Sequence, residues 1–117
     1  MNSLKTYCLC IHDELLEKVK KLNYIPVGLG EGNYKKGWLR DNTGKNISYK
    51  NKHYGEYSFH YWIWQNKMEI FNDKDWIGFC AYRRFWLEQR DLTNSKLEFK
   101  DKILTQVPEV WKNYNVI

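Results

Sequence analysis

The sequence contains no apolar run long enough to cross a bilayer. Its longest, such as Tyr7–Ile11 and Tyr61–Trp64, end after a few residues, whereas a spanning helix needs roughly 20. It has no internal repeat, no low-complexity tract and no linker that would mark a second domain. A secretory signal is also missing: Met1 leads directly into the strand-like Thr6–Ile11 with only Lys5 before it, and no small-residue cleavage site follows. Cysteine is scarce and odd in number, with 3 in 117 residues, so a disulfide framework is not expected. These absences predict free thiols in a reducing cytoplasm. Apolar matter is not scarce. Hydrophobic residues make up 43% and aromatics 17% of the chain, which excludes a disordered polypeptide. The length suits one small domain.

The charge is uneven. The formal net charge is +5, and all of it is concentrated in one stretch. Lys35, Lys36, Arg40, Lys45, Lys50 and Lys52 oppose only Asp41 there, so the rest of the chain sums to zero. A concentrated positive loop suits a phosphate group, nucleic acid or an anionic membrane surface, or is simply a solvated loop.

Hydrophobic periodicity predicts alternating strands and helices. Thr6–Ile11 forms a buried strand, and Asp13 is placed to cap a helix through Leu22, with Leu15, Val19 and Leu22 on one face. Tyr24–Leu29 is a second strand, where Pro26 suggests an edge position or an irregular start. Gly28, Gly30 and Gly32 open a polar loop to about Asn51. Tyr54, Tyr57, Tyr61, Trp64, Met68 and Phe71 then repeat at helical spacing. With Trp62, Ile63 and Ile70 added, both sides of this helix are expected to be covered. Trp76–Tyr82 is a buried strand ending at Arg83 and Arg84. The polar stretch from Leu87 to Lys100 stays unassigned. Lys102–Val107 is a candidate strand before a short helix opened by Pro108. The pattern predicts an α/β fold, a mainly parallel sheet with flanking helices. Ligands bind such sheets beyond the carboxyl ends of the strands, which here carry His12, the glycine loop, and Arg83 with Arg84.

Several constellations have two readings. Two guanidinium groups after an apolar strand suit a pyrophosphate, or else they pair with nearby acids. Arg40–Ser48 is rich in short hydrogen-bonding side chains that suit ribose, a uracil edge or phosphate, or it is an ordinary turn. Asp73 and Asp75 have D-x-D spacing but precede a strand, so a surface turn is expected rather than a metal site. Cys8, Cys10 and His12 alternate as strand residues, with Cys80 possible nearby, yet no second ligand pair with zinc spacing exists. Glu56 and His60, four apart on a helix, face a ligand or bond each other at the surface.

In order along the chain, YIPVG (24–28), WLRDNTGKNISYKN (38–51), YGEYSFHYWIWQN (54–66) and WIGFCAYRRFW (76–86) resemble domain of unknown function 4422. Members of that family resemble glycosyltransferases of capsular or exopolysaccharide synthesis. The resemblance spans roughly residues 6–110. It implies the N-terminal nucleotide-binding half of a GT-A-like fold, and a nucleotide-sugar donor such as a UDP-sugar. It carries the donor site onto Asp41, Asn42, Gly44, Asn46, Ser48, Lys50, Asn51, Glu56, Tyr82, Arg83 and Arg84, and leaves the catalytic residue unassigned. Where family members have a histidine before the Tyr-Arg-Arg, this chain has Ala81. The implied partners are a nucleotide sugar and a glycan or lipid-linked acceptor, with peripheral contact to the inner membrane and no nucleic acid. No cofactor is expected in this chain, and any divalent metal is expected only in a full-length protein. The expectation is one partial domain over residues 1–117, truncated at its C-terminus and inactive alone. The alternative is a non-enzymatic nucleic-acid-binding module built from the basic loop and the aromatics.

Overall fold

The computed structural model describes residues 3–87 and 102–117. The unassigned stretch from Leu87 to Lys100 lies outside these residues apart from Leu87. Four strands, β1 (Leu4–Cys10), β2 (Ile25–Gly28), β3 (Leu39–Arg40) and β4 (Trp76–Ala81), form one sheet in the order β3-β2-β1-β4. Every pairing is parallel, with Tyr7 opposite Ile25 and Phe79, and Gly28 opposite Arg40. Parallel strands need crossovers. Here helix α1 (Leu16–Lys21) joins β1 to β2, and α2 (Asn51–Tyr54) with α3 (Tyr57–Asn66) joins β3 to β4.

The two crossovers cover opposite faces of the sheet. Alternation along β1 sends Cys8 and Cys10 to one face, where they pack with Leu16, Val19, Leu22, Tyr24 and Trp38. Tyr7 and Leu9 go to the other face and meet Val27, Leu29, Phe59, Trp62 and Ile63. Because both faces are covered, the central strand is apolar without interruption from Tyr7 to Cys10. The aromatic side is tightly built: the Tyr7 ring lies 5.2 Å from Phe59 and 6.0 Å from Phe79, and Phe59 lies 5.7 Å from Trp62.

Local chemistry accounts for the element ends, in places against expectation. Asp13 does not cap α1. It begins a 3-10 turn (Asp13–Leu15), and its carboxylate accepts from the Lys35 amide and the Trp38 indole instead. The buried face of α1 is Leu16, Val19 and Leu22, while Leu15 stays half-buried. After α1, Asn23 takes the left-handed conformation, φ 60°, that an asparagine tolerates at a helix end. Pro26 lies in an internal strand rather than an edge strand. It is tolerated because β3 is so short that it pairs only Val27 and Gly28, so no ladder bond to the Pro26 nitrogen is needed on that side. β3 itself lies inside the stretch expected to be a polar loop.

The long aromatic helix is broken in two. Gly55, at φ 56° and ψ −130°, separates α2 from α3, a backbone conformation that favours glycine. The face of α3 buried against the sheet is Ser58, Phe59, Trp62 and Ile63. The regular stripe points outward instead: Tyr54, Tyr57, Trp64 and Met68 are 51%, 64%, 63% and 49% exposed. β4 is half-buried throughout because it is the edge strand. The Trp86 indole donates to the Phe79 carbonyl at 2.9 Å and closes part of that edge. Lys102–Val107 forms no strand and contributes one antiparallel bridge, Ile103 to Leu87. Pro108 precedes a short 3-10 helix, Glu109–Asn113.

Candidate functional site

All strands are parallel, so their carboxyl ends share one edge of the sheet. At β2 and β3 that edge is filled by the protein itself. Tyr34 packs on Gly28, where an added Cβ would meet the ring at 2.7 Å, and the Tyr34 hydroxyl donates to the Leu29 carbonyl at 2.7 Å. Burial pushes the Tyr34 phenol pKa up, partly opposed by Arg40. The Arg40 guanidinium stacks 4.2 Å from the Tyr34 ring, and it donates to the carbonyls of Gly28 and Gly30. Arg40, one of the six cations of the basic stretch, thus staples the glycine loop.

Asp41 is fully buried and joins three segments. Its Oδ1 accepts from the Gly30 amide at 3.0 Å and from Ser48 Oγ at 2.6 Å, and its Oδ2 accepts from Ser58 Oγ at 2.5 Å. Asn51 Nδ2 donates onward to Ser58 Oγ at 2.9 Å and to the Gly55 carbonyl. The next loop is tied to α3. Asn66 donates to the Lys45 carbonyl and accepts from the Lys45 amide, while the Trp62 indole donates to the Thr43 carbonyl at 2.8 Å. Gly44 has φ 58°, and a Cβ there would meet Asn66 Oδ1 at 2.4 Å. Within the loop, Asn46 donates to the Gly44 carbonyl and accepts from the Ser48 amide. Of the residues singled out here, Asp41 and Ser48 are buried and Asn46 and Asn51 half-buried, whereas Asn42, Gly44, Lys50 and Glu56 face solvent.

The edge differs at β1 and β4. The strand order reverses between them, since β2 and β3 extend the sheet to one side of β1 and β4 to the other. Ligands of doubly wound sheets enter at such a point. Ile11 is 54% exposed at the end of β1. His12 follows it, and its ring meets Tyr82 edge-on at 5.2 Å. β4 turns sharply there, with the Arg84 amide donating to the Ala81 carbonyl at 3.0 Å. Arg83 stands at the turn, 5.2 Å from the Tyr82 ring, and both Arg83 and Arg84 are exposed. Among the described residues neither guanidinium has an ion-pair partner. The point between β1 and β4 is therefore flanked by two exposed guanidinium groups and the His12–Tyr82 ring pair, with the Glu14 carboxylate 4.0 Å from His12.

This arrangement brings Tyr82, Arg83 and Arg84 together and adds His12, which the sequence reading placed at a strand end but not among the binding residues. Its sign was its position directly after the first buried strand. The 41–51 loop lies on the same edge but three strand spacings away, roughly 14 Å. Glu56 opens α3, and His60, its expected pair, leans inward on Phe79 with ring centroids 4.4 Å apart. Burial lowers the His60 pKa, and Glu56 partly offsets this.

The remaining candidates serve structure. Asp75 accepts from Ser3 Oγ at 2.6 Å and from the Asn72 amide at 3.0 Å, at the amino end of β4 and so opposite Arg83 and Arg84. Among the described residues no group of three or more His, Cys, Asp or Glu could hold a metal ion. Cys8 and Cys10 are buried with their sulfurs 4.0 Å apart. Contact with Cys10 draws the Cys8 pKa down, but contact with Cys80 and burial outweigh it and raise the value to about 12. The Cys8 contact and burial raise Cys10 as well. An open cavity of about 720 Å³ lies near the amino end of β4, between it and residues 111–117, lined by Trp76, Trp86 and Trp111 among others. Asp73, Lys74 and Asp75 also line it, and Arg83 and Arg84 do not.

The fold is that of a doubly wound α/β domain with two exposed arginines at its carboxyl edge. A family model described as domain of unknown function (DUF4422) matches residues 6–117, and the chain belongs to that family. No curated protein and no solved structure matches it. Among the described residues no helix is long and apolar enough to cross a membrane.

Proposed function

We propose that the chain binds the nucleotide diphosphate of a nucleotide sugar, such as a UDP-sugar, between β1 and β4. It would be the donor-binding portion of a glycosyltransferase of capsular or exopolysaccharide synthesis. The observation that carries this reading is the pair of exposed guanidinium groups at the point where the strand order reverses, without ion-pair partners among the described residues. Planar guanidinium groups bind phosphate oxygens in a bidentate manner. In a transfer reaction the same two groups stabilise the charge that develops on the departing nucleoside diphosphate. Tyr82 and His12 supply an aromatic wall at the same point. Asp41, Ser48 and Asn51 support the reading indirectly by fixing the loop, and the exposed Asn42 remains available for the distal part of the donor.

The test is calorimetric titration of the chain with UDP and UDP-glucose, and in parallel with single-stranded oligothymidylate. UDP binding that weakens about 10- to 100-fold in Arg83→Ala is expected, since a hydrogen bond to a charged group contributes about 1.5–3 kcal/mol. UDP affinity that is unchanged in Arg83→Ala and Arg84→Ala, or oligothymidylate binding tighter than UDP, would overturn the proposal.

A further inference from the structure

The outward face of α2 and α3 is unusual for a small domain. Tyr54, Tyr57, Trp64 and Met68 are half-exposed or more, Tyr61 lies between them on the same face, and Tyr49 just upstream is 56% exposed. A group of exposed aromatic side chains of this kind marks an interaction surface. On α2 and α3 it consists of tyrosines and a tryptophan, and Met68 and Ile70 are exposed in the 3-10 turn that follows. Tyr and Trp are the side chains enriched where a bilayer meets water, because one end of the ring is apolar and the other polar. Two lysines flank its start, Lys50 and Lys52, with the Lys50 ammonium 5.6 Å from the Tyr49 ring. At the far end Lys67 turns to the buried side, its ammonium 5.9 Å from the Trp62 ring. Lys50 and Lys52 are exposed, and Glu56 is the one acid between residues 45 and 68.

We infer that this face docks on an anionic lipid surface. The rings would seat at headgroup depth while Lys50 and Lys52 reach lipid phosphates. The α2–α3 segment would then lie along the interface, as amphipathic helices with aromatic and lysine residues do. The stripe includes none of His12, Tyr82, Arg83 and Arg84, so the inference stands without the nucleotide reading.

Co-sedimentation of the full chain with vesicles of phosphatidylcholine, and of phosphatidylcholine mixed with phosphatidylglycerol, tests it. Binding is expected only to the anionic vesicles, with a blue shift in tryptophan emission, and should fall as salt is raised. Trp64→Ala should weaken binding about ten-fold or more, and Lys50→Ala and Lys52→Ala about five-fold each. These positions are exposed, so unchanged circular dichroism would verify folding, and UDP titration of Trp64→Ala should match the parent chain. Equal binding to both vesicle types, no binding to either, or full binding by Trp64→Ala would overturn the inference. So would concentration-dependent self-association lost in Trp64→Ala, which would assign the face to a second copy.

Discussion

Asp41 concentrates more structure than any other side chain in the loop that bears it. One carboxyl group serves the glycine loop, the 3-10 turn at Ser48 and the start of α3. Asp41→Ala leaves one buried amide and two buried hydroxyls without their acceptor. Unsatisfied buried groups cost about 1–3 kcal/mol each, so a loss of about 3 kcal/mol or more is expected in urea denaturation, and a change under 0.5 kcal/mol would show that these bonds are replaced by water. Gly44→Ala should cost about 1–2 kcal/mol from its left-handed backbone alone, with a further loss from displacing Asn66. His60 gives the chain an acid sensitivity. Its folded-state pKa is lowered by burial, so as pH falls through the unfolded value, about 6.5, the unfolded chain takes up a proton that the folded chain resists. Stability should therefore decline below that pH and be constant above it as far as His60 is concerned. His60→Gln should flatten that limb in denaturation curves recorded across the range. An unchanged slope would mean that another group causes it.

At the scale of elements, α3 separates two roles that its sequence pattern merges. Phe59 is fully buried and Trp64 is 63% exposed. Phe59→Ala should cost about 3–5 kcal/mol, whereas Trp64→Ala should stay within about 0.5 kcal/mol. Thermal melts of both variants check this, and comparable losses would show that the stripe is packed in solution. β1 and the crossovers were legible in the sequence because a buried parallel strand is a continuous apolar run and the helices repeat at fixed spacing; β4 was legible as a strand, but its edge position leaves it half-buried and not buried as its apolar run suggests. The face of α3 was not. Its outward residues are as aromatic as its inward ones, so periodicity alone could not choose between stripes. β3 escaped notice because two residues within a turn-rich stretch carry no period. In the site, the edge holding Arg83 and Arg84 followed from parallel topology. The burial of Asp41 did not, since the partners that bury it lie at residues 30, 48 and 58, and a short polar side chain among turn formers looks solvated.

For the whole molecule, the two-faced core predicts a thiol pattern. Cys8 and Cys10 are buried in a cluster that only the intact sheet maintains, and Cys80 is half-buried. At pH 8 the folded chain should expose at most the Cys80 thiol to Ellman's reagent, and all three should react once urea unfolds it. Rapid reaction of all three under native conditions would contradict the packing. The sheet order also sets a schedule. β1 obtains one neighbour, β2, soon after it is made, but its other neighbour, β4, begins only at residue 76. At about 5–20 residues per second of synthesis, the 65 residues between Cys10 and Trp76 correspond to roughly 3–13 seconds in which one flank of the most apolar strand has nothing to pair with. The nascent chain is most prone to mispairing during that interval, because the flank that β4 will occupy is an open strand edge.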